Sequence, residues 1–328
     1  MNRFITAYKI GISADYSDRI QLKQGGMIMN WITGMQSAIN YIEEHLTENL
    51  DYNEIAAHSF SSTYHFQRVF SILCGFTVGE YIRNRRLSLA GAELAAGDVK
   101  IIDTALKYGY ESPDSFAKAF QRFHGILPSQ AKSHKGNLNY YSPLVIEISM
   151  KGGKVMNYKL ENKPETTLIG FKKRFNGTPA TRWKQEEEFY HATRTNQFIL
   201  KGMANESYMD FNVMTNFDDD GFDFYIAALI NKEDTDNFEV ILGEDAKRFE
   251  RVIIPKGLYL VCRTENCEWP AELVEPLRKQ AVSVWLPENG YELDSRPEIN
   301  IFYWFYKEGD DAVNKSRYAE MWLPVIKK

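Results

Sequence analysis

The pattern Ser-x3-Phe-x3-Phe-x4-Gly occurs twice in this chain, at Ser62/Phe66/Phe70/Gly75 and at Ser112/Phe116/Phe120/Gly125, fifty positions apart. Each copy of an internal repeat is one supersecondary unit, so this duplication constrains the fold more than any bulk property does. A serine at the head is a helix-start signal, and phenylalanines four residues apart fall on one helical face. A second short helix is predicted before each copy, over Tyr52–His58 and Ile101–Tyr108. Short helix, tight turn, second helix is the geometry that lays a helix in the major groove of DNA. Two in tandem imply one chain reading two adjacent groove segments.

The length of 328 residues predicts two or three domains, and 44% hydrophobic content with 14% aromatic supplies ample core. No apolar run approaches the ~20 residues that a membrane span needs, and no charged region followed by an apolar one marks the N-terminus for export. Three cysteines (Cys74, Cys262, Cys267), odd in number and without zinc-type spacing, fit a reducing cytosol. Met1 to Gly26 shows neither helical nor strand period. Residues 1–29 are therefore read as a disordered arm or a non-native extension. In the second case Lys23-Gln24-Gly25-Gly26 is a ribosome-binding site read in frame, and translation begins at Met27 or Met29.

Charge divides the chain. Residues 30–135 carry 10 Lys+Arg against 11 Asp+Glu and five of the six histidines, whereas residues 136–328 carry 25 against 31. A net of −1 is low for a DNA-binding region. Local placement compensates, because Arg68, Arg83, Arg85, Arg86, Lys118 and Arg122 lie on or beside the recognition elements, where they can meet phosphates.

Helices are expected from Gly34 to about Gly136: a first one with Met35, Ile39, Ile42 and Leu46 on its apolar face, then a helix pair over Leu50–Cys74. A long connector over Val78–Ala96 stops at Gly97-Asp98, and a second pair spans Ile101–His124, with Ser112-Pro113 as N-cap and first helical residue. The stretches Ser62-Thr63-Tyr64-His65-Phe66-Gln67-Arg68-Val69-Phe70, Tyr81-Ile82-Arg83 with Arg86-Leu87, Ala105-x3-Gly109-Tyr110-x-Ser112-x3-Phe116-x3-Phe120 and Gly125-x2-Pro128-Ser129 together resemble the DNA-binding domain of AraC-type transcription regulators. Phe60 departs from that family, standing where its first turn usually carries glycine. By helical face, Phe66, Val69, Phe70, Phe116, Phe120 and Phe123 are core, and Thr63, Tyr64, Gln67 and Arg68 face outward. Gln67 suits adenine and Arg68 suits guanine or a phosphate. The second helix offers Pro113, Asp114, Ser115, Lys118 and Arg122, a set poor in long donors and hence directed more at phosphate. Arg86 completes the expected DNA-contacting set.

Residues 137–154 read as a polar linker with Gly152-Gly153, and residues 155–328 as a second domain. Strands are predicted at Asn157–Leu160 and Thr167–Phe175, a helix over Arg182–Leu200, then strands near Tyr208–Val213 and Phe222–Ile230. The order recurs as Lys247–Ile254, Gly257–Arg263, a helix over Pro270–Trp285, Ile299–Tyr306 and Arg317–Val325. The fold class is thus multidomain: an all-α tandem helix-turn-helix domain, then an α+β domain of two strand-strand-helix-strand-strand units with a cleft between helices and sheet. Gly257-Leu258-Tyr259-Leu260-Val261, Trp285 to Glu292, Arg296-Pro297-Glu298-Ile299 and Glu320 to Val325 resemble the GyrI-like effector-binding domain of bacterial multidrug and stress regulators. That family has an acidic residue where this chain has Asn300.

An aromatic cleft holding one or two carboxylates suits an amphipathic, often cationic, ligand. Candidate walls are Trp183, Phe189, Trp269, Trp285, Tyr303 and Trp304, with Glu298, Asn300 and Glu320 as polar groups; along an alternating strand half of such side chains are simply core. Asp218-Asp219-Asp220 reads as a solvated turn. No metal ligand set, cofactor motif or catalytic constellation is found, and His191 is the one histidine of the second half. The reading that follows is a cytoplasmic one-component regulator that binds double-stranded DNA, senses a small molecule and acts on RNA polymerase, and that is not an enzyme. Two alternatives stay open: hydrolysis of a small molecule in the second domain, and a ligand-independent regulator whose second domain is an interaction surface.

Overall fold

The computed structural model describes residues 25–97, 99–146, 157–178, 181–306 and 309–328, with side chains from Trp31 onward. The expected extension up to residue 24, with its choice of start codon, and the linker from residue 147 lie outside the described residues. Contacts divide the chain into two compact units, one containing residues 25–67 and 77–146, the other residues 68–76 and 157–328.

Helix α1 (Gly25–Glu44) starts nine residues before the expected Gly34 and buries Met35, Ile39 and Ile42, with Leu46 buried just beyond its end. Helix α2 (Tyr52–His58) is capped by Asp51, whose carboxylate accepts from the Asn53 N–H at 2.7 Å. Helix α3 (Thr63–Cys74) begins where Ser62 Oγ accepts from the His65 N–H at 3.3 Å. The long connector α4 (Val78–Ala96) opens with a capping box: Glu80 N–H donates to Thr77 Oγ1 at 3.1 Å and Thr77 N–H to the Glu80 carboxylate at 2.8 Å. Helices α5 (Ile101–Lys107) and α6 (Pro113–His124) form the second pair, with Ser112 as N-cap, Pro113 at the first turn and left-handed Gly125 (φ 78°) at the C-cap.

Phe116 and Phe120 are fully buried among Leu87, Leu94, Ala105 and Tyr108, and Phe66 and Phe70 are buried likewise, so the repeated phenylalanines are core as their spacing predicts. His124 extends that stripe. Its Nδ1 accepts from the Asn139 N–H at 3.1 Å and its Nε2 donates to the Leu87 carbonyl at 2.9 Å, while burial holds its pKa below the ordinary histidine value. The first part of the expected linker is not free chain. Tyr141 N–H bonds Ser88 Oγ, Leu144 N–H bonds Tyr81 Oη and Ile146 N–H bonds Gln36 Oε1, each at 3.0 Å, which ties residues 141–146 along α4 and α1.

The two turns explain the Phe60 departure. In the second, Gly109 (φ 81°) donates to Leu106 O at 3.0 Å and Tyr110 to Ala105 O at 2.9 Å. In the first, Phe60 (φ 55°) donates to Ala57 O and Ser61 to Ala56 O, at 3.1 and 3.4 Å. Phe60 therefore holds the left-handed slot that glycine fills in the other copy, with its ring 73% exposed. A left-handed residue carrying a Cβ costs roughly 1–2 kcal/mol. Phe60→Gly is expected to stabilise the protein by about 1 kcal/mol after the added backbone freedom of the unfolded chain is counted, read as a rise in the urea midpoint at unchanged slope.

Among the described residues of the second unit nine strands form one sheet: β1 (Asn157–Lys163), β2 (Thr166–Asn176), β3 (Met209–Thr215), β4 (Gly221–Ala228), β5 (Glu250–Ile254), β6 (Gly257–Arg263), β7 (Tyr291–Leu293), β8 (Glu298–Tyr303) and β9 (Tyr318–Lys327). The order is β1-β6-β9-β8-β3-β4-β2-β5, with β7 pairing only β9, and every pairing is antiparallel. Matching the halves as β1/β5, β2/β6, β3/β8 and β4/β9 turns this order into its own reverse, so the duplicated unit is present and its pseudo-twofold lies between β3 and β8. Each half lends its first strand to the other, since β1 pairs β6 and β5 pairs β2. The helices follow the repeat. The expected first helix is broken at Thr193 into α7 (Trp183–Ala192) and α8 (Arg194–Met203). Its counterpart α10 (Ala271–Gln280) runs on into a π turn over Ala281–Trp285 and the short α11 (Leu286–Asn289). Helix α9 (Lys232–Leu242) and the 3-10 turn after it, unexpected from the sequence, fill the join between the halves, and α12 (Asp311–Asn314) precedes β9. Asp218 accepts from the N–H groups of Asp220 and Gly221 at 2.9 Å, so the triple aspartate is a turn.

Candidate nucleic-acid interface and effector cleft

On α6 the face opposite Phe116 and Phe120 is open. Pro113, Asp114, Ser115, Lys118 and Arg122 are all exposed, as a groove-facing surface requires. Ser115 also anchors its own helix: its N–H donates to Ser112 Oγ at 3.2 Å and its hydroxyl to Ser112 O at 2.9 Å. On α3, Thr63, Tyr64 and Gln67 are half-buried, and Thr63 Oγ1 donates to Asn53 Oδ1 at 2.7 Å.

Two arginines depart from the expected face. Arg86 donates from Nε to Leu46 O at 2.7 Å and from Nη2 to Glu48 O at 2.6 Å, so it satisfies carbonyls left at the end of α1. Arg68 groups with the second unit and is 4% exposed. Its Nη2 pairs with the Glu298 carboxylate, its Nη1 donates to Ser71 Oγ at 3.2 Å, and its guanidinium lies 3.6 Å from the centroid of the Phe217 ring. A base reader must present its donors to solvent-filled groove, and a buried, paired guanidinium does not. Helical spacing places Arg68 one turn after Tyr64 on a face expected to be open, and burial reverses that assignment.

The second unit carries its polar groups on one side of the two central strands. Pairing sets Asp210 beside Phe302, Asn212 beside Asn300 and Met214 beside Glu298. Alternation puts all six side chains on one face. Tyr190 of α7 reaches this face, donating to Asn212 Oδ1 at 2.8 Å. Arg278 of α10 reaches it too, with Nη2 3.5 Å from Glu298 Oε2 and 3.8 Å from Met214 Sδ. The helices of the two halves thus pack side chains onto a polar floor. Arg278, Glu298, Asn300 and Asn212 are all at most 1% exposed. Burial would raise the Glu298 pKa, yet the Arg68 and Arg278 guanidiniums outweigh it and hold the carboxyl below its ordinary value. Asp210, at the other end of the floor, is raised by burial despite Lys201 at 3.8 Å.

The predicted ligand residues divide accordingly. Glu298 and Asn300 share the floor, and Trp304 stacks on Phe302 with centroids 5.6 Å apart and meets Trp269 at 6.2 Å, so these two extend its aromatic end. Glu320 does not belong there. It pairs with Ile301, whose side chain lies on the opposite face of the sheet from Asn300. Phe189 is core, packed on Phe171, Phe175 and Phe224. Trp285 stacks on Tyr291 at 5.6 Å, with Tyr158 at 6.1 Å, beside β7 and β1 rather than on the central strands. Trp183 is 68% exposed at the start of α7, and Tyr303 stacks on Tyr318 at 4.3 Å. Arg278, Asp210, Asn212 and Tyr190 were missed. The signal for Arg278 was its spacing of four from Val274, on the helix stripe that also carries Leu277 and Ala281. For Asp210 and Asn212 it was the two-residue alternation through Met214.

Residues 55–134 match the model of a helix-turn-helix domain, and residues 156–326 that of a GyrI-like small molecule binding domain. The HTH-type transcriptional activator AarP of Providencia stuartii is 46% identical over 89 residues, 27% of this chain and 66% of AarP. The regulatory protein SoxS of Salmonella typhimurium is 38% identical over 95 residues, 29% of this chain and 89% of SoxS. The chain thus spans about two thirds of AarP, and 34% of the uncharacterized HTH-type transcriptional regulator YbfP of Bacillus subtilis, at 39% identity over 30% of this chain. Among solved structures, SAV2435 bound to tetraphenylphosphonium is similar at 16% identity over 52% of this chain and 94% of that one, with a TM-score of 0.38. The DNA-binding domain of AdpA in complex with a target DNA is similar at 25% identity over 30% of this chain and 90% of that one, with a TM-score of 0.29. The GyrI-like match alone takes up more than half of the sequence, and SoxS is covered over nearly its whole length; the chain belongs to the AraC-type helix-turn-helix regulators and carries a GyrI-like small molecule binding domain.

Proposed function

We propose that this protein is a one-component transcription regulator in which α3 and α6 read adjacent major-groove segments and the cleft over β3 and β8 takes a small effector. The observation that carries the DNA reading is the two-sided build of α6: Phe116 and Phe120 fully buried, and Pro113, Asp114, Ser115, Lys118 and Arg122 open on the other side. The naming of AarP as a transcriptional activator supports action on RNA polymerase, and the match of residues 156–326 to a small molecule binding domain supports binding there rather than turnover. Effector and DNA are coupled only so far as the effector binds two arrangements of the chain with different affinity. Among the described residues no helix is long and apolar enough to cross a membrane.

Selection of genome fragments by the purified full-length protein tests the proposal. Recovery of discrete fragments whose affinity falls steeply with salt supports it; enrichment no greater than for random DNA at any salt concentration removes it. Within that assay Lys118→Ala is expected to weaken all sites evenly and reduce the salt slope by about one. Gln67→Ala is expected to relax preference at one base position, at a cost of about 1–3 kcal/mol for the preferred base.

A further inference from the structure

The floor over β3 and β8 is already charge-paired. Its one fully buried carboxylate, Glu298, already has two guanidiniums, Arg68 and Arg278. A lipophilic cation arriving there would compete with both guanidiniums for Glu298. What the floor lacks is different. Asn300 is 0% exposed, and neither its Oδ1 nor its Nδ2 has a hydrogen-bond partner; Arg278, also 0% exposed, makes no hydrogen bond from Nε or from Nη1, which lies 3.7 Å from Glu275 Oε2. Glu298 Oε2 and Glu275 Oε1 are buried acceptors in the same condition. Leaving such groups unmade costs about 1–3 kcal/mol each, so a polar partner at this floor is stabilising.

We propose that the effector is a small carboxylate that also carries an amide, such as an amide-bearing amino acid or a short peptide. This rests on the sensing role proposed above and specifies its ligand. An amide is the one common group that donates and accepts side by side, and it therefore pairs with both idle atoms of Asn300. A carboxylate uses the idle donors of Arg278, in the charge-assisted geometry that favours arginine over lysine. An amino or amide N–H of the same molecule meets Glu298 Oε2 or Glu275 Oε1. Asn212 stands across the strand pair from Asn300, but its Oδ1 is taken by Tyr190, which leaves Asn300 as the selecting amide.

Thermal melting of the full-length protein with L-glutamine, N-acetyl-L-alanine and L-alanyl-L-alanine, against tetraphenylphosphonium, decides the matter. A rise of about 5 °C or more with one of the first three at a hundredfold excess over its Kd is expected, since ligand binding to the folded state alone raises its melting point by mass action. Asn300→Leu should abolish that rise without lowering the melting point of the free protein, because the amide has no partner to lose. A rise with tetraphenylphosphonium alone overturns the ligand class and leaves the sensing role standing. No rise with any of the four overturns the class as well, with ordered water then satisfying the floor. An undiminished rise in Asn300→Leu overturns the assignment of Asn300. Fragment selection on DNA reports on the regulator reading separately from all of these.

Discussion

Glu298→Ala is expected to cost about 3–5 kcal/mol of stability. Removing one partner of a buried ion pair leaves the other charge uncompensated, and that penalty is what the variant exposes. Here it falls on two guanidiniums at once. Arg278 would keep Glu275, at 3.7 Å, and Met214 Sδ, at 3.8 Å, but lose its buried carboxylate, and Arg68 would lose the carboxylate it pairs with. Against a typical total stability of about 5–15 kcal/mol the loss is severe. Urea unfolding followed by circular dichroism should show it as a large fall in midpoint. A triple variant, Glu298→Leu with Arg278→Met and Arg68→Met, is expected to recover most of the loss, because matched apolar residues replace the whole buried ionic group at little cost. The acid limb supplies a second check. The folded Glu298 pKa lies below its unfolded value, so its stabilisation is complete above about pH 4.3 and fades as pH falls from there through the folded pKa. The gap between wild type and Glu298→Ala should therefore narrow on acidification below about pH 4. A midpoint within experimental error of wild type at pH 7 would refute the assigned ion pairs.

Phe120→Ala is the second large effect, about 3–5 kcal/mol through lost burial and the cavity left behind. The ring is fully buried, 5.5 Å from Phe116 and 4.2 Å from His124, and it is the hinge of the cluster that joins α4, α5 and α6. Its loss should release α6 and abolish DNA binding while the second unit keeps its own melting transition. Phe120→Leu, which preserves most of the volume, should retain binding. Equal DNA affinity in Phe120→Ala and wild type would mean that α6 is not held by this core.

Legibility in the sequence differed by element for physical reasons. The helix pairs were readable because Phe at four-residue spacing, a serine cap and a terminal glycine all act within one turn or two, and the structure follows them closely. The strand pairs of the second unit were readable from turn residues and alternation. Helix α9 was missed because its sequence, Lys232 to Leu242, is mostly polar and buries only Thr235 and Phe238. The face of a strand was not readable at all. Glu320 and Asn300 sit in equally alternating sequence, and only the register of β8 on β9 shows that they point to opposite sides. Arg68 and Arg278 failed in the same way: sequence treats a charged residue as solvated, whereas a carboxylate remote in sequence, Glu298, makes an interior position tenable.

The exchange of first strands between the halves of the sheet has a consequence for how the protein is made. As the chain leaves the ribosome, residue 157 emerges about a hundred residues before Arg263, its partner in register. At ordinary rates of synthesis, 5–20 residues per second, β1 waits roughly 5–20 s with an unpaired edge. The half translated first cannot complete itself, and during that interval the nascent protein is most open to mispairing with a neighbour on the same message.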